Sequence, residues 1–319
     1  MKGFLLIDKG EGLSSFDVIK KIRKAVNLRG IGHAGTLDPL ASGLMIVAVG
    51  EATKLLEYFI GFDKEYVVKA RFGAVSATFD REGPIVEVEG GVEVFTKRQI
   101  EKVIKSEFSG EISQVPPKYS AIKIAGKKAV DLVRKGFDVE LKARKVKIDE
   151  FKIMDFAWPE VTFRIKCESG TYIRSLVHDL GQRLGCGAYV LELRRTKIGK
   201  FSVPKGCCAI PGESFYSRLR CKIIPGEVHR RPTVVSVEYE TDLSNKNIEQ
   251  CFVSLEDATK DFKKIKLSAA DYNSLKLGRI LSNIKVEQGV PTLATYEGKV
   301  VGILENFYKY GVKFRKMIL

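Results

Sequence analysis

The chain has 319 residues, of which 45% are hydrophobic and 29% are charged, and its 54 Lys and Arg against 39 Asp and Glu give a net charge of +15. This composition excludes a disordered chain and allows a sizeable core in one or two domains. The sequence contains no apolar run long enough to span a membrane. A strongly basic soluble protein is suited to a polyanion, although a basic surface can also be merely solvated.

Strands and helices are mixed over the first 203 residues. A buried strand is predicted at residues 4–7, and Ser14 and Ser15 cap a helix at 16–26 whose second face is rich in Lys and Arg. Residues 30–43 contain four glycines and a proline, which favours a loop without a regular element of length. The other predictions are strands at 44–49, 64–72, 85–88, 146–154, 160–167 and 188–198, helices at 52–59, 96–107, 129–135 and 172–184, a turn at 78–83 and an extended segment at 114–117.

The chain changes character after residue 203. Prolines interrupt residues 204–252, which show little periodicity and are predicted as an atypical connection or insertion. Between residues 192 and 231 there are ten Lys or Arg against three acids, so this part either contacts RNA or is a solvated linker. Residues 253–319 are predicted as a small, mostly β unit with a helix at 268–277, strands at 292–296, 300–305 and 312–317, and a basic tail.

Three residues are candidates for chemistry, each with an ordinary alternative. Asp38 lies in the glycine-rich loop and can act as a nucleophile or general base, or can simply cap the turn at Asp-Pro. Tyr66 can stack on a base, or can be an ordinary strand aromatic. Arg174 can pair with a carboxylate or phosphate, or can be a surface charge. Gly170 and Thr171, just before the helix at 172–184, would also suit an anion.

Cofactor and metal sites have no support in the sequence. No phosphate-loop or dinucleotide fingerprint occurs, so no cofactor is expected. The six cysteines form no CxxC pair, and a set drawn from Cys207, Cys208, Cys221 and His229 fits no common zinc spacing. Reduced thiols without a metal are therefore predicted.

An ordered series of motifs resembles the TruB family of bacterial tRNA pseudouridine-55 synthases. The series covers about the first 203 residues and is specific as a set. Its members are residues 3–9, 14–18, 32–43, 50–54, 64–66, 78–80, 114–121, 170–176, 184–188 and 193–195. Residues 277–279, 302–303 and 313–316 resemble the small RNA-binding PUA module more loosely.

The resemblance implies a fold and a function. The fold is α+β: a pseudouridine-synthase-type catalytic domain with a central mixed, mostly antiparallel sheet, followed by a small, mostly-β PUA-like domain. The implied reaction converts uridine to pseudouridine at position 55 in the T-arm loop of tRNA by base flipping, without a cofactor. We expect tRNA as the partner, no membrane and no obligatory protein partner. A cytoplasmic location is expected, since the apolar run in the opening residues is too short for a secretory signal. A monomer is also expected.

The resemblance also gives roles to individual residues. Asp38 matches the essential aspartate, Tyr66 the tyrosine that stacks on the target base and serves in proton transfer, and Arg174 the arginine that pairs with the aspartate. Residues expected at the substrate are His33, Lys54, Tyr172 and Leu193. The chain departs from the family at Ala129–Val130, where a tyrosine is usual, and at residues 204–250, which match nothing known in it.

Other readings remain open at this level. An RNA-binding or folding-assistance protein would not need Asp38 and Tyr66. A related synthase could act on ribosomal RNA or with a guide RNA, although a self-contained core argues against a guide. The sequence does not decide whether Asp38 attacks uracil C6, attacks ribose C1′ or abstracts the 2′ proton.

Overall fold

The computed structural model describes residues 2–28, 30–88, 94–203, 235–237, 252–307 and 310–318. Eleven strands form one large sheet, and four strands form a second sheet in the C-terminal part. The strands of the large sheet are β1 (Gly3–Lys9), β2 (Ile31–His33), β3 (Ala41–Val49), β4 (Lys64–Phe72), β7 (Gly110–Gln114), β10 (Arg144–Ala157), β11 (Glu160–Cys167), β12 (Ala188–Ile198), β13 (Phe201–Ser202), β14 (Val235–Val237) and β15 (Phe252–Val253).

The remaining elements are smaller sheets and helices. The second sheet contains β16 (Lys263–Lys266), β17 (Thr292–Tyr296), β18 (Lys299–Asn306) and β19 (Val312–Met317), and two hairpins contain β5 (Ala74–Ser76), β6 (Ile85–Glu87), β8 (Lys123–Ile124) and β9 (Lys127–Lys128). The helices are α1 (Ser15–Val26), α2 (Leu56–Ile60), α3 (Lys97–Glu107), α4 (Ala129–Arg134), α5 (Ile173–Arg183), α6 (Leu255–Ala258) and α7 (Ala269–Lys276), with a 3₁₀ helix at Gly50–Leu55.

The large sheet is mixed and mostly antiparallel, as predicted. Its main path runs β14-β1-β3-β12-β4-β11-β10-β7. Neighbours on this path are antiparallel except the parallel pairs β3–β12 and β1–β14. The crossover from β3 to the parallel strand β12 brings the loop before β3 next to the centre of the sheet.

Both faces of the sheet are covered, which explains why β1 and β3 are buried along their whole length. Alternate residues of β1 face the two sides of the sheet. Leu5 and Ile7 belong to a hydrophobic cluster that includes residues of α1, α3 and α5, whereas Phe4 and Leu6 belong to a cluster that includes residues of the C-terminal unit (α6, α7 and β16–β19). Val300 and Ile303 of β18 belong to this second core. The C-terminal unit is therefore joined to the large sheet by hydrophobic packing.

Most predicted elements are confirmed within a residue or two, and the exceptions have physical causes. The segment 30–43 was wrongly expected to lack regular structure, because β2 and the start of β3 lie in it. Residue 43 of this strand must be glycine, because a Cβ there would lie 2.2 Å from the Arg195 carbonyl oxygen. The helix expected at 52–59 is a 3₁₀ turn followed by the short α2. The strand β16 was not predicted.

The connection predicted at 204–252 lies almost wholly outside the described residues. Its described parts are β14, which pairs with β1 in parallel, and Phe252 in β15. No helix in the described ranges is long and apolar enough to cross a membrane.

Candidate active site

A cleft of about 330 Å³ opens where β4, β12, the loop before β3 and the start of α5 meet. It brings together five of the residues that the sequence singled out: Asp38, Tyr66, Tyr172, Arg174 and Leu193. The other lining residues are Gly35, Thr36, Leu37, Ile60, Lys64, Ala121, Ile122, Arg144, Ser169, Gly170, Thr171, Ile173 and Arg195.

The loop that carries Asp38 is fastened from several sides. The Ser15 hydroxyl accepts from the Leu37 amide at 2.8 Å and donates to the Leu37 carbonyl at 3.0 Å. The Pro39 carbonyl accepts from the Gly12 amide at 2.9 Å and from Lys9 Nζ at 3.3 Å. These bonds fix the chain on both sides of Asp38, so its carboxylate is held in place before any substrate arrives.

Asp38 pairs with Arg174, as the resemblance implied. Arg174 Nε lies 2.9 Å from Asp38 Oδ2; the side chain of Arg174 is 5% exposed and that of Asp38 37%. Arg174 is itself held by Asp80, with Nη1 3.0 Å from Asp80 Oδ2, and it donates to the Thr78 carbonyl at 2.7 Å and the Tyr119 carbonyl at 3.0 Å. We call Asp38, Arg174 and Asp80 the carboxylate cluster. A buried guanidinium between two carboxylates fixes the orientation of the Asp38 carboxylate.

Tyr66 forms part of the cleft wall from the middle of β4. The strand register places Arg195 between Tyr66 on one side and Gly43 on the other, and the buried Arg195 side chain hydrogen bonds to Tyr66. Burial raises the pKa of the Tyr66 hydroxyl, so the phenol stays protonated at neutral pH. A buried ring on the wall beside Asp38 can stack on a base.

Arg195 links Tyr66 to the Asp38 loop. Its guanidinium donates to the carbonyls of Leu44 at 2.7 Å, Gly35 at 3.1 Å and Thr36 at 3.4 Å. Burial lowers the pKa of this arginine. The three carbonyls and Tyr66 give the buried cation its partners, which is the condition for burying a charge.

Two residues expected at the substrate do not line this cleft. His33 is in β2, is not part of the cleft lining, and has a pKa lowered by burial. Lys54 Nζ donates to the Met317 carbonyl at 2.6 Å and pairs with Glu51. It therefore joins the 3₁₀ helix to the C-terminal unit, and the structure places it outside the cleft.

Sequence reasoning missed several residues that build the site. Arg195 and Asp80 were quoted within motifs but were given no role, and Lys64 and Arg144 line the cleft without having been singled out as site residues. The signal for Asp80 was its place in the predicted turn at 78–83. Arg195 gave no local signal, because two consecutive arginines in a strand are assigned to the protein surface as long as the strand register is unknown.

The described residues contain no group of three or more His, Cys, Asp or Glu placed to hold a metal ion. Cys167 and Cys186 are both buried. The candidate ligands Cys207, Cys208, Cys221 and His229 lie outside the part of the chain that the structure describes.

Comparisons of sequence identify the family of the chain. Residues 23–173 match the profile described as "TruB family pseudouridylate synthase (N terminal domain)", and residues 174–210 match "tRNA pseudouridylate synthase B C-terminal domain". The chain is 35% identical to the tRNA pseudouridine synthase B of Clostridium acetobutylicum and 32% identical to that of Clostridium tetani, in both cases over the full length of both chains. The protein of the same name from Clostridium kluyveri is 42% identical over 64% of this chain and 69% of its own.

Comparison of structures supports the fold. A chain of a Cbf5-Nop10-Gar1 complex aligns with a TM-score of 0.68 at 22% identity, over 99% of this chain and 85% of its own. A chain of an H/ACA RNP bound to a substrate RNA containing 2′-deoxyuridine aligns with a TM-score of 0.65 at 21% identity, over the same shares. At this identity the likeness speaks for the fold alone.

Proposed function

We propose that this chain, which belongs to the TruB family of pseudouridylate synthases, isomerises uridine to pseudouridine at position 55 in the T-arm loop of tRNA, with Asp38 as its essential catalytic residue. It is a pseudouridine synthase by its family; the tRNA substrate, the position and the residue roles are the proposal. The observation that carries the roles is the convergence of Asp38, Tyr66 and Arg174 in one cleft.

The reaction requires what this cleft offers. The bond from ribose C1′ to uracil N1 breaks, the base turns over, and a bond from C1′ to C5 forms, with no redox change and no phosphate transfer. The uridine must leave the stacked RNA, which costs a few kcal/mol. Stacking on Tyr66 would offset about 1–3 kcal/mol of that cost, and phosphate contacts with this basic protein would offset more.

The carboxylate cluster supports Asp38 as the reacting group. The Asp38 side chain is partly exposed on the cleft, whereas Arg174 and Asp80 behind it are buried. The carboxylate of Asp38 is thus presented to the cleft in a fixed direction, and Tyr66 offers a protonated hydroxyl for proton transfer.

The assignment of a role to each part of the chain belongs to the same proposal. Residues 1–203 would form the catalytic unit, residues 204–252 an atypical connection or insertion, and residues 253–319 a PUA-like RNA-binding unit. The separate sheet of β16–β19 supports the last assignment. His33, Lys54, Tyr172 and Leu193 would contact the RNA, His33 and Lys54 outside the cleft lining.

Mapping the product on defined RNA tests the proposal. Purified chain is incubated with a tRNA transcript that carries uridine at position 55 and with a matched transcript that carries cytidine there. Chemical modification followed by primer extension then locates pseudouridine. We expect one modified site, at position 55, in the first transcript and none in the second. Modification at another uridine, or in ribosomal RNA alone, would contradict the proposed position and substrate.

A further inference from the structure

A second part of the cleft wall carries positive charge that the isomerisation itself does not use. We call this part, made of Lys64, Arg144 and residues 169–172, the cation wall. Lys64 and Tyr66 are two residues apart on β4 and both line the cleft, because alternate residues of a strand face the same side. The cation wall therefore adjoins the site proposed for the uracil.

Hydrogen bonds tie the wall together into one continuous surface. Lys64 Nζ donates to the Ile60 carbonyl at 2.5 Å, and the Ser169 hydroxyl donates to the same carbonyl at 2.7 Å. The next residue, Gly170, accepts from the Arg144 guanidinium, which also lies 4.8 Å from the centre of the Tyr172 ring. Both cations are thus held at the cleft by neutral main-chain oxygens.

The charges of this wall are not balanced within the cleft. Among the described residues that line it, Asp38 is the carboxylate, and it is already paired with Arg174. No described carboxylate lies within ion-pair distance of Lys64 or Arg144. Helix α5 adds to the positive field, since its first turn contains no acidic residue and its N-cap, Tyr172, makes no side-chain capping bond.

We propose that the cation wall binds a phosphodiester group of the RNA chain next to the uridine that enters the cleft. This inference rests on the proposed function, because an RNA substrate supplies the phosphate. Two cations and a helix start, fixed on one surface without a counter-charge, match an anion whose oxygens accept several charged hydrogen bonds at once. Fixing the backbone beside the flipped nucleotide also fixes the ribose whose C1′ reacts.

Protonation of Lys64 should make phosphate binding depend on pH. Burial, with a smaller contribution from Arg195, lowers the pKa of Lys64 to about 8, although Cys167 and Asp63 act in the opposite direction. A bound phosphate favours the charged lysine, so binding takes up a proton, and RNA affinity falls as the pH rises through the pKa of the free site. The other charged or titratable groups on the cleft are Asp38, Tyr66, Arg144, Tyr172 and Arg174.

The salt dependence of binding tests the proposal directly. Equilibrium binding of the tRNA transcript is measured between about 50 and 200 mM salt with the full chain in an Asp38→Asn background, so that the RNA is not converted. We expect Lys64→Met and Arg144→Met each to reduce the slope of log K against log salt by about 0.7 to 0.9, since each removes one phosphate contact. The matched control is Lys152→Met on β10, whose side chain is 66% exposed and is not part of the cleft lining.

The pH dependence of tRNA affinity gives an independent test. In this test Lys64→Arg replaces the titrating cation by one that stays charged. We expect the affinity of the chain with Lys64 to fall about tenfold from pH 7 to pH 9, and that of Lys64→Arg to stay nearly constant. Lys9 also has a pKa lowered to about 8 by burial, but it is present in both proteins and cancels in the comparison.

The outcomes separate this inference from the proposed function. If the wild type modifies position 55 but Lys64→Met and Arg144→Met bind with the slope of the Lys152→Met control, the cation wall does not bind phosphate and the inference is overturned. If the wild type forms no pseudouridine in tRNA, the proposed function fails whatever the slopes are. Circular dichroism of each variant checks that it is folded.

Discussion

The carboxylate cluster and the cation wall, two parts of one cleft, differ in how their charged side chains are paired. In the carboxylate cluster, Arg174 lies between Asp38 and Asp80, so each of the three charged groups has a partner of opposite sign within the protein. In the cation wall, Lys64 and Arg144 donate to neutral carbonyl oxygens, and no carboxylate among the described residues pairs with either of them. Matched charges fix atoms in advance, which is what a reaction requires, whereas unmatched charges gain most of their stabilisation when an anion arrives. The difference separates a part that reacts from a part that binds.

The largest effect within this comparison is expected from breaking the carboxylate cluster at its centre. Arg174→Lys keeps the charge but cannot hold Asp38, Asp80 and two carbonyls with one planar fork, so kcat should fall about a hundredfold. Single-turnover assays on the tRNA transcript measure this rate. Arg183→Lys, on the exposed end of the same helix, is the control and should change kcat by less than about twofold. Equal losses in both variants would mean that Arg174 acts only through the helix.

A smaller effect is expected from the support behind the cluster. Phe79 stands between Thr78 and Asp80, which both bind Arg174, and its ring stacks on His178 with centroids 3.8 Å apart and planes at 11°. Its φ of 63° lies in the left-handed region, which glycine adopts more easily. Phe79→Gly thus removes the ring without straining the backbone, and kcat should fall several-fold with KM unchanged.

The partner residue offers the matched test of that stack. His178→Phe keeps a flat ring against Phe79, whereas His178→Ala removes it. We expect the alanine variant to lose several-fold in kcat and the phenylalanine variant to lose less, since one ring still supports the turn. Steady-state kinetics on both variants measures the split, and identical losses would show that the imidazole matters for another reason than stacking.

The smallest effect on catalysis is expected from a change in the bonds that hold the Asp38 loop, which should lower the stability of the protein more than its activity. Ser15→Ala leaves the buried amide and carbonyl of Leu37 without their partner, which should cost about 1–3 kcal/mol of unfolding free energy. Urea unfolding gives the value. Ser106→Ala, at an exposed site on α3, should leave stability nearly unchanged. A Ser15→Ala protein as stable as the wild type would show that the Asp38 loop is held by its other bonds.

The regular elements of this fold could be predicted because their signals are local. Residues 64–72, 160–167, 188–198, 292–296 and 312–317 carry apolar patterns that end where the strands end. The capping boxes at Ser14 and Thr96 likewise mark the starts of α1 and α3. The fold class follows from the order of such elements.

The site could be predicted only where a motif named its residues. Asp38, Tyr66 and Arg174 were found by resemblance, since their own surroundings in the sequence admit an ordinary explanation for each. Arg195 and Asp80 escaped notice because their roles depend on pairing between β12, β3 and β4 and on packing against α5. Such contacts join residues more than ninety positions apart, and no local pattern records them.

The most direct measurement compares turnover and binding in Asp38→Asn. This change keeps the shape of the side chain and removes the ionised oxygen that the carboxylate cluster presents to the cleft. We predict that pseudouridine formation in the tRNA transcript falls below about a thousandth of the wild-type rate, while tRNA affinity stays within about threefold. Pseudouridine formation at a rate near that of the wild type would contradict the assignment of Asp38 as the catalytic residue.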